Sequence, residues 1–187
     1  MDFKSISDSI IAFTQANAFW APFVVGGLAF AECFAFLSLL VPATVILLAI
    51  SVVFGKSGLA FMPLFLAATI GSILGYGISY FIGVYFAEPV KKIWPFRNKP
   101  ELLERTYKVF EKYGAFAVFL GHFFGPVRAF IPVVAGMTRL TQWKFQAANI
   151  SSALVWAFFM MLPGYIGTTL APLKPYYDKV LGWFGWA

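Results

Sequence analysis

Gly121-His122-Phe123-Phe124-Gly125-Pro126-Val127-Arg128-Ala129-Phe130-Ile131-Pro132-Val133-Val134-Ala135-Gly136 is apolar enough to lie in a membrane and yet does not suit a continuous helix. Pro126 and Pro132 each lack a backbone donor and crowd the preceding turn. Arg128 carries a charge whose exposure to hydrocarbon costs about 3 kcal/mol on insertion scales and more than ~10 in simulations. Irregular backbone at membrane depth is tolerated only where protein encloses it or where it lines a wet cavity. Residues 115–137 therefore predict a broken, re-entrant helical hairpin, with Gly125, Pro126, Pro132 and Gly136 supplying the breaks and the close backbone approaches.

The rest of the chain supports a membrane setting. Of its 187 residues 60% are hydrophobic and 12% charged, and the mean hydropathy is +0.80. A soluble domain of this size cannot bury that much apolar surface. Residues 59–87 and 145–171 carry no charged side chain, and each exceeds the roughly 20 residues needed to cross a bilayer core. The net charge of +6 does not point to nucleic acid, because seven of the fourteen basic residues lie between Lys91 and Lys112, beside apolar segments. Anionic lipid headgroups are the expected counterpart, and this basic excess, with Arg139 and Lys144, marks the cytoplasmic side. Cys33 is the single cysteine, so an intrachain disulfide and a thiolate metal cluster are excluded; the residue reads as a small apolar filler. Residues 1–17, with Asp2 and Asp8 against Lys4, read as a retained interfacial stretch rather than a removable signal.

Outward from Arg128, the first half of the chain repeats the second. Glu32 precedes Pro42 by ten residues, and His122 precedes Pro132 by ten. Pro42 precedes Gly75 by 33 residues, and Pro132 precedes Gly164 by 32, each glycine adjoining a tyrosine within a long apolar span. A span that crosses once would start the second copy on the opposite face, the inverted arrangement of many transporters. The expected fold is thus an all-α integral membrane protein, an inverted repeat of two re-entrant helical hairpins with long transmembrane helices and interfacial amphipathic helices. Its expected layout is one membrane domain: an interfacial helix at 1–17, a first repeat at 18–87, a basic linker and amphipathic helix at 88–113, a second repeat at 114–171 and an interfacial segment at 172–187. Within 101–113, Leu103, Tyr107 and Phe110 fall on one side at helical spacing, opposite Glu104, Lys108 and Glu111.

Glu32 is the only one of eight acidic residues deep in a hydrophobic run, and Arg128 is its basic counterpart. A lone carboxylate there must be protonated or paired, so the two opposed hairpins are expected to bring Glu32 and Arg128 together. The pair reads either as a pin between hairpins or as the centre of a polar cavity. A planar guanidinium offers parallel hydrogen bonds to a phosphate, which makes an anion the expected ligand. His122, the sole histidine, can exchange a proton near neutrality or sit as a satisfied core residue. No paired carboxylates, His-rich metal spacing, Gly-x-Ser-x-Gly or phosphate loop is present, so neither an enzyme nor a cofactor or metal site is expected.

The run 121–136, with Glu32 followed by Leu40-Val41-Pro42-Ala43-Thr44 and with Gly71, Gly75, Tyr80 and Gly83, resembles the DedA family, also called the SNARE-associated or VTT-domain family, over about residues 19–170. The resemblance implies two opposed re-entrant hairpins and lipid transport, notably of undecaprenyl phosphate, with roles for Glu32 and Arg128. His122 stands where many members have an arginine, Thr44 where some have an acid, and Tyr76 where many have an aspartate. The expected protein is a multi-pass flippase or scramblase of the bacterial inner membrane, acting on polyprenyl phosphate or another lipid phosphate through Glu32, Arg128, His122 and Thr44. A proton-coupled transporter of a small ion or solute is the alternative, and self-association is left open.

Overall fold

The computed structural model describes residues 15–35, 37–39, 43–87, 100–124 and 128–170. Pro42, Gly125 and Pro126 fall outside these residues, as do residues 1–14, the linker at 88–99 and the segment 172–187. Among the described residues the fold is wholly helical: α1 (Ala21–Cys33), α2 (Ala43–Lys56), α3 (Phe61–Tyr85), α4 (Pro100–Tyr113), α5 (Ala115–Gly121), α6 (Ile131–Met137) and α7 (Gln142–Leu170), with 3-10 turns at Ala18–Trp20 and Leu37–Leu39.

Two helices, α3 and α7, are long and apolar enough to cross a membrane. The α3 surface is the reverse of a soluble helix. Met62, Leu66, Ile70, Leu74 and Ile78 are exposed at four-residue intervals, while Gly71, Ser72, Gly75, Ser79 and Gly83 are buried. In lipid there is no hydrophobic gain in hiding leucine, so association relies on small residues that let backbones meet and on polar contacts. By contrast α1 and α2, with 13 and 14 residues, reach roughly 20 Å at about 1.5 Å per residue. The 7-residue α5 and α6 reach roughly 10 Å. None of the four alone covers a core of about 30 Å.

The order short helix, short helix, long helix occurs twice, and the packing is reciprocal. The first short helix of each half lies on its own long helix, α1 on α3 and α5 on α7. The second lies on the other half's long helix, α2 on α7 and α6 on α3. Each exchanged contact is closed by glycines. A Cβ on Gly83 would meet the backbone of Val133 and one on Gly136 that of Tyr80 and Val84; across α2 and α7, one on Gly55 would meet the backbone of Gly164 and one on Gly164 that of Ser51 and Val52.

Both second helices also end alike. After α2, Leu59 N–H bonds to Phe54 O and Gly58 N–H to Gly55 O, with Gly58 at φ +73°. After α6, Leu140 N–H bonds to Ala135 O and Arg139 N–H to Gly136 O, with Arg139 at φ 54°. These are Schellman turns. The second one holds an arginine where glycine is the unstrained choice, and the Tyr80 hydroxyl secures it by donating to Leu140 O at 2.6 Å.

Pro132 does not interrupt a helix but occupies the first turn of α6, where its missing N–H would have no intrahelical partner anyway. The long helices begin and end within three residues of the expected spans. α4 is amphipathic as read, with Phe110 buried and Glu104 and Lys108 exposed and paired at 2.8 Å. Lys108 holds the Glu104 carboxyl below its ordinary range.

Adding one methyl at the exchanged contacts forces backbones apart, because no side chain there can rotate away. Gly83→Ala, Gly136→Ala and Gly164→Ala are each expected to cost about 1–3 kcal/mol, seen as a lower melting temperature in detergent. Gly27→Ala, whose added Cβ meets nothing within 4 Å, should melt like the parent protein; equal melting of all four variants would refute the account.

Candidate functional site

Glu32 lies in the last turn of α1, where the helix dipole disfavours a negative charge, and it is 5% exposed. A cation must offset both penalties, and the structure supplies Arg128, 6% exposed, from the other half of the chain. Arg128 Nη2 forms an ion pair with Glu32 Oε1. Thr44, in the first turn of α2, bridges the two: its Oγ1 donates to Glu32 Oε1 and accepts from Arg128 Nη2 at 3.2 Å. Glu32 Oε2 is buried without a hydrogen-bond partner among the described residues.

Arg128 also faces the Trp156 ring of α7, with its guanidinium carbon 5.5 Å from the ring centroid. That geometry suits a cation–π contact, which gains strength where water is excluded. The site is thus assembled from the end of α1, the start of α2, the break between α5 and α6, and the middle of α7. Residues 34–35 are held to α3 by the Ser79 hydroxyl, which accepts from Ala35 N–H at 2.8 Å and donates to Gly75 O at 2.7 Å.

His122 occupies a neighbouring pocket and is fully buried. Its Nε2 lies 3.1 Å from Ser72 Oγ and its Nδ1 3.1 Å from Ser152 Oγ. Ser152 donates onward to Asn149 O at 3.1 Å, and Cys33 Sγ lies 3.2 Å from Ser72 Oγ. One consistent assignment runs from Cys33 S–H through the Ser72 hydroxyl to Nε2, and from Nδ1–H through Ser152 to Asn149 O. Both ring nitrogens are then used and the imidazole is neutral. The ring stacks on Tyr76 at 4.4 Å and lies 5.6 Å from Trp156, so Trp156 is the side chain shared by the two clusters.

The structure therefore brings together Glu32, Arg128 and Thr44, and sets His122 apart from them on its own hydroxyl pair. Pro132 and Gly136 shape α6, while Pro42, Gly125 and Pro126 lie outside the described residues. Sequence reasoning missed Trp156, Ser72 and Ser152. Serines and a tryptophan inside long apolar spans carry no individual signal, although α3 and α7 do place theirs on the glycine-bearing face.

Leaving one partner of a buried pair alone is worse than removing both. Glu32→Met and Arg128→Met are each expected to destabilise the folded protein by about 3–5 kcal/mol, whereas the double variant should recover most of that loss in thermal unfolding. Additive losses would contradict direct pairing.

The VTT domain matches residues 41–166. The inner membrane protein YabI of Escherichia coli is 35% identical over 139 residues, 74% of this chain and 54% of YabI. An uncharacterised membrane protein of Buchnera aphidicola from Acyrthosiphon pisum is 30% identical over 157 residues, 84% of this chain and 61% of the relative. The inner membrane protein YqjA of Escherichia coli is 28% identical over 142 residues, covering 75% and 64%. The chain thus spans between about half and two-thirds of the length of these relatives. No solved structure matches it. With two helices fit to cross a membrane and relatives named as inner membrane proteins, it is a bacterial inner-membrane protein, and it belongs to the VTT-domain, or DedA, family.

Proposed function

We propose that this protein translocates an anionic lipid phosphate, undecaprenyl phosphate or a close relative, across the bacterial inner membrane, without covalent chemistry. The observation that carries the reading is a buried arginine whose carboxylate partner keeps one oxygen without a hydrogen bond among the described residues. Arg128 can exchange Glu32 for a phosphate without ever being left alone, and Glu32 Oε2 can take a proton when its partner is lost. Thr44 holds hydrogen bonds to both groups and stays to orient whichever anion is present. The lipid tail remains in the bilayer, so only the headgroup needs the polar path.

The short α1/α2 and α5/α6 pairs support re-entrant hairpins, and the reciprocal packing on α3 and α7 supports their inverted relation. In that arrangement the two hairpins approach from opposite faces and meet at the ion pair, which gives the headgroup access from either side by turns. His122 then acts as a support beneath Trp156 and leaves the phosphate to Arg128. A second reading, a proton-coupled transporter of a small ion or solute, draws on the same unpartnered Glu32 oxygen as a proton site.

Purified protein in liposomes distinguishes them. Wild type is expected to move undecaprenyl phosphate, Arg128→Ala to lose at least tenfold in rate, and Glu32→Gln to bind the lipid more tightly but move it more slowly, since its rival for Arg128 is gone. Absence of lipid movement together with a water-soluble ion flux that collapses with the proton gradient would overturn the translocase in favour of the second reading.

A further inference from the structure

Away from the ion pair, α5 and the first turns of α7 leave an open groove of about 490 Å³ between them. Phe116 and Phe119 of α5 line it together with Trp143, Lys144, Ala148 and Ser151 of α7. The volume falls in the range of about 300–1,000 Å³ that holds small molecules, but the groove is open along its side and cannot enclose a soluble ligand. Ser151 offers an occupant no donor, because its hydroxyl donates to its own helix at Ala147 O, 2.8 Å away. Lys144 is the only charged residue in the lining. Its Nζ lies 5.8 Å from the Trp143 ring centroid, and among the described residues no carboxylate pairs with it.

The groove therefore has two unlike ends. Lys144 and the two-thirds-exposed Trp143 stand at the start of α7, as residues of the bilayer interface do. Ser151 lies seven residues further, roughly 10 Å deeper at about 1.5 Å per residue, among apolar side chains. The first turn of α7 holds no acidic residue, so its helix N-terminus adds partial positive charge. Lys112 and Arg139 each stand three residues before the helices that form the groove, at Ala115 and Gln142. An occupant must be long, apolar and anionic at one end.

We propose that this groove is a binding site for an anionic phospholipid of the surrounding bilayer, with the headgroup at Lys144 and an acyl chain along Phe116 and Phe119. It shares no residue with the Glu32–Arg128 site, and it stands whether or not the protein translocates lipid.

Tryptophan quenching by brominated lipid tests this with the whole chain in phosphatidylcholine vesicles. The difference between wild type and Trp143→Phe isolates the Trp143 signal. Dibrominated phosphatidylglycerol is expected to quench that signal at a several-fold lower mole fraction than dibrominated phosphatidylcholine. Lys144→Gln should lose this preference by roughly fivefold, the effect of one basic residue near an anionic surface, and Lys144→Arg should restore it. Equal quenching by the two lipids in wild type would reduce the groove to ordinary lipid contact and overturn the proposal. So would a preference indifferent to Lys144→Gln, or a Trp143 shielded from both lipids because a second copy of the chain covers the groove.

Discussion

Two charges that hydrocarbon does not solvate have to find each other inside this protein, and the structure is organised around that meeting. Glu32 stands at the unfavourable end of α1 and Arg128 in the break between α5 and α6. Among the described residues each charge finds its ion-pair partner in the other half, so the pair ties the halves together. Thr44 and Trp156 complete the shell with a hydroxyl and a ring face. Among the described residues the pair is held by a few contacts, and Glu32 Oε2 makes no hydrogen bond. A buried ion pair can often be replaced by apolar packing without loss of stability, so the proposed exchange of partners would give this pair a use that strength alone does not.

The meeting requires backbones to come closer than ordinary side chains allow. Glycines answer that need at each exchanged contact, between α3 and α6 and between α2 and α7. With Leu66, Ile70, Leu74 and Ile78 turned outward along α3, its buried face from Ala68 to Gly83 is left to alanine, threonine, glycine, serine and tyrosine. The same choice provides the hydroxyls that engage His122. Packing and polarity are thus one solution: the small residues that allow close approach also carry the hydrogen bonds that specify it.

Much of this was legible in the sequence, for reasons that differ by element. The long spans and the amphipathic α4 follow from composition and period, which operate locally. The approach of Glu32 and Arg128 followed from the internal repeat and the family resemblance, together with the cost of a charge deep in a hydrophobic run. The hydroxyl pocket of His122 was not legible, because Ser72 and Ser152 lie 80 residues apart and become neighbours only when α3 packs on α7. That Pro132 lies in the first turn of α6 was not legible, since it depends on where Phe130 caps the helix. The left-handed turn at Arg139 was equally hidden, since nothing in a local pattern requires arginine where the matching turn has Gly58.

The central claim is that a lipid phosphate takes the place of Glu32 at Arg128. Solid-state NMR of the protein in liposomes, labelled with nitrogen-15 at its arginine guanidinium groups, can measure dipolar contact with the phosphorus of added undecaprenyl phosphate. The account predicts a nitrogen–phosphorus contact at direct hydrogen-bonding range that disappears in Arg128→Lys. A contact that survives that substitution, or none in a protein that still moves the lipid, would contradict it.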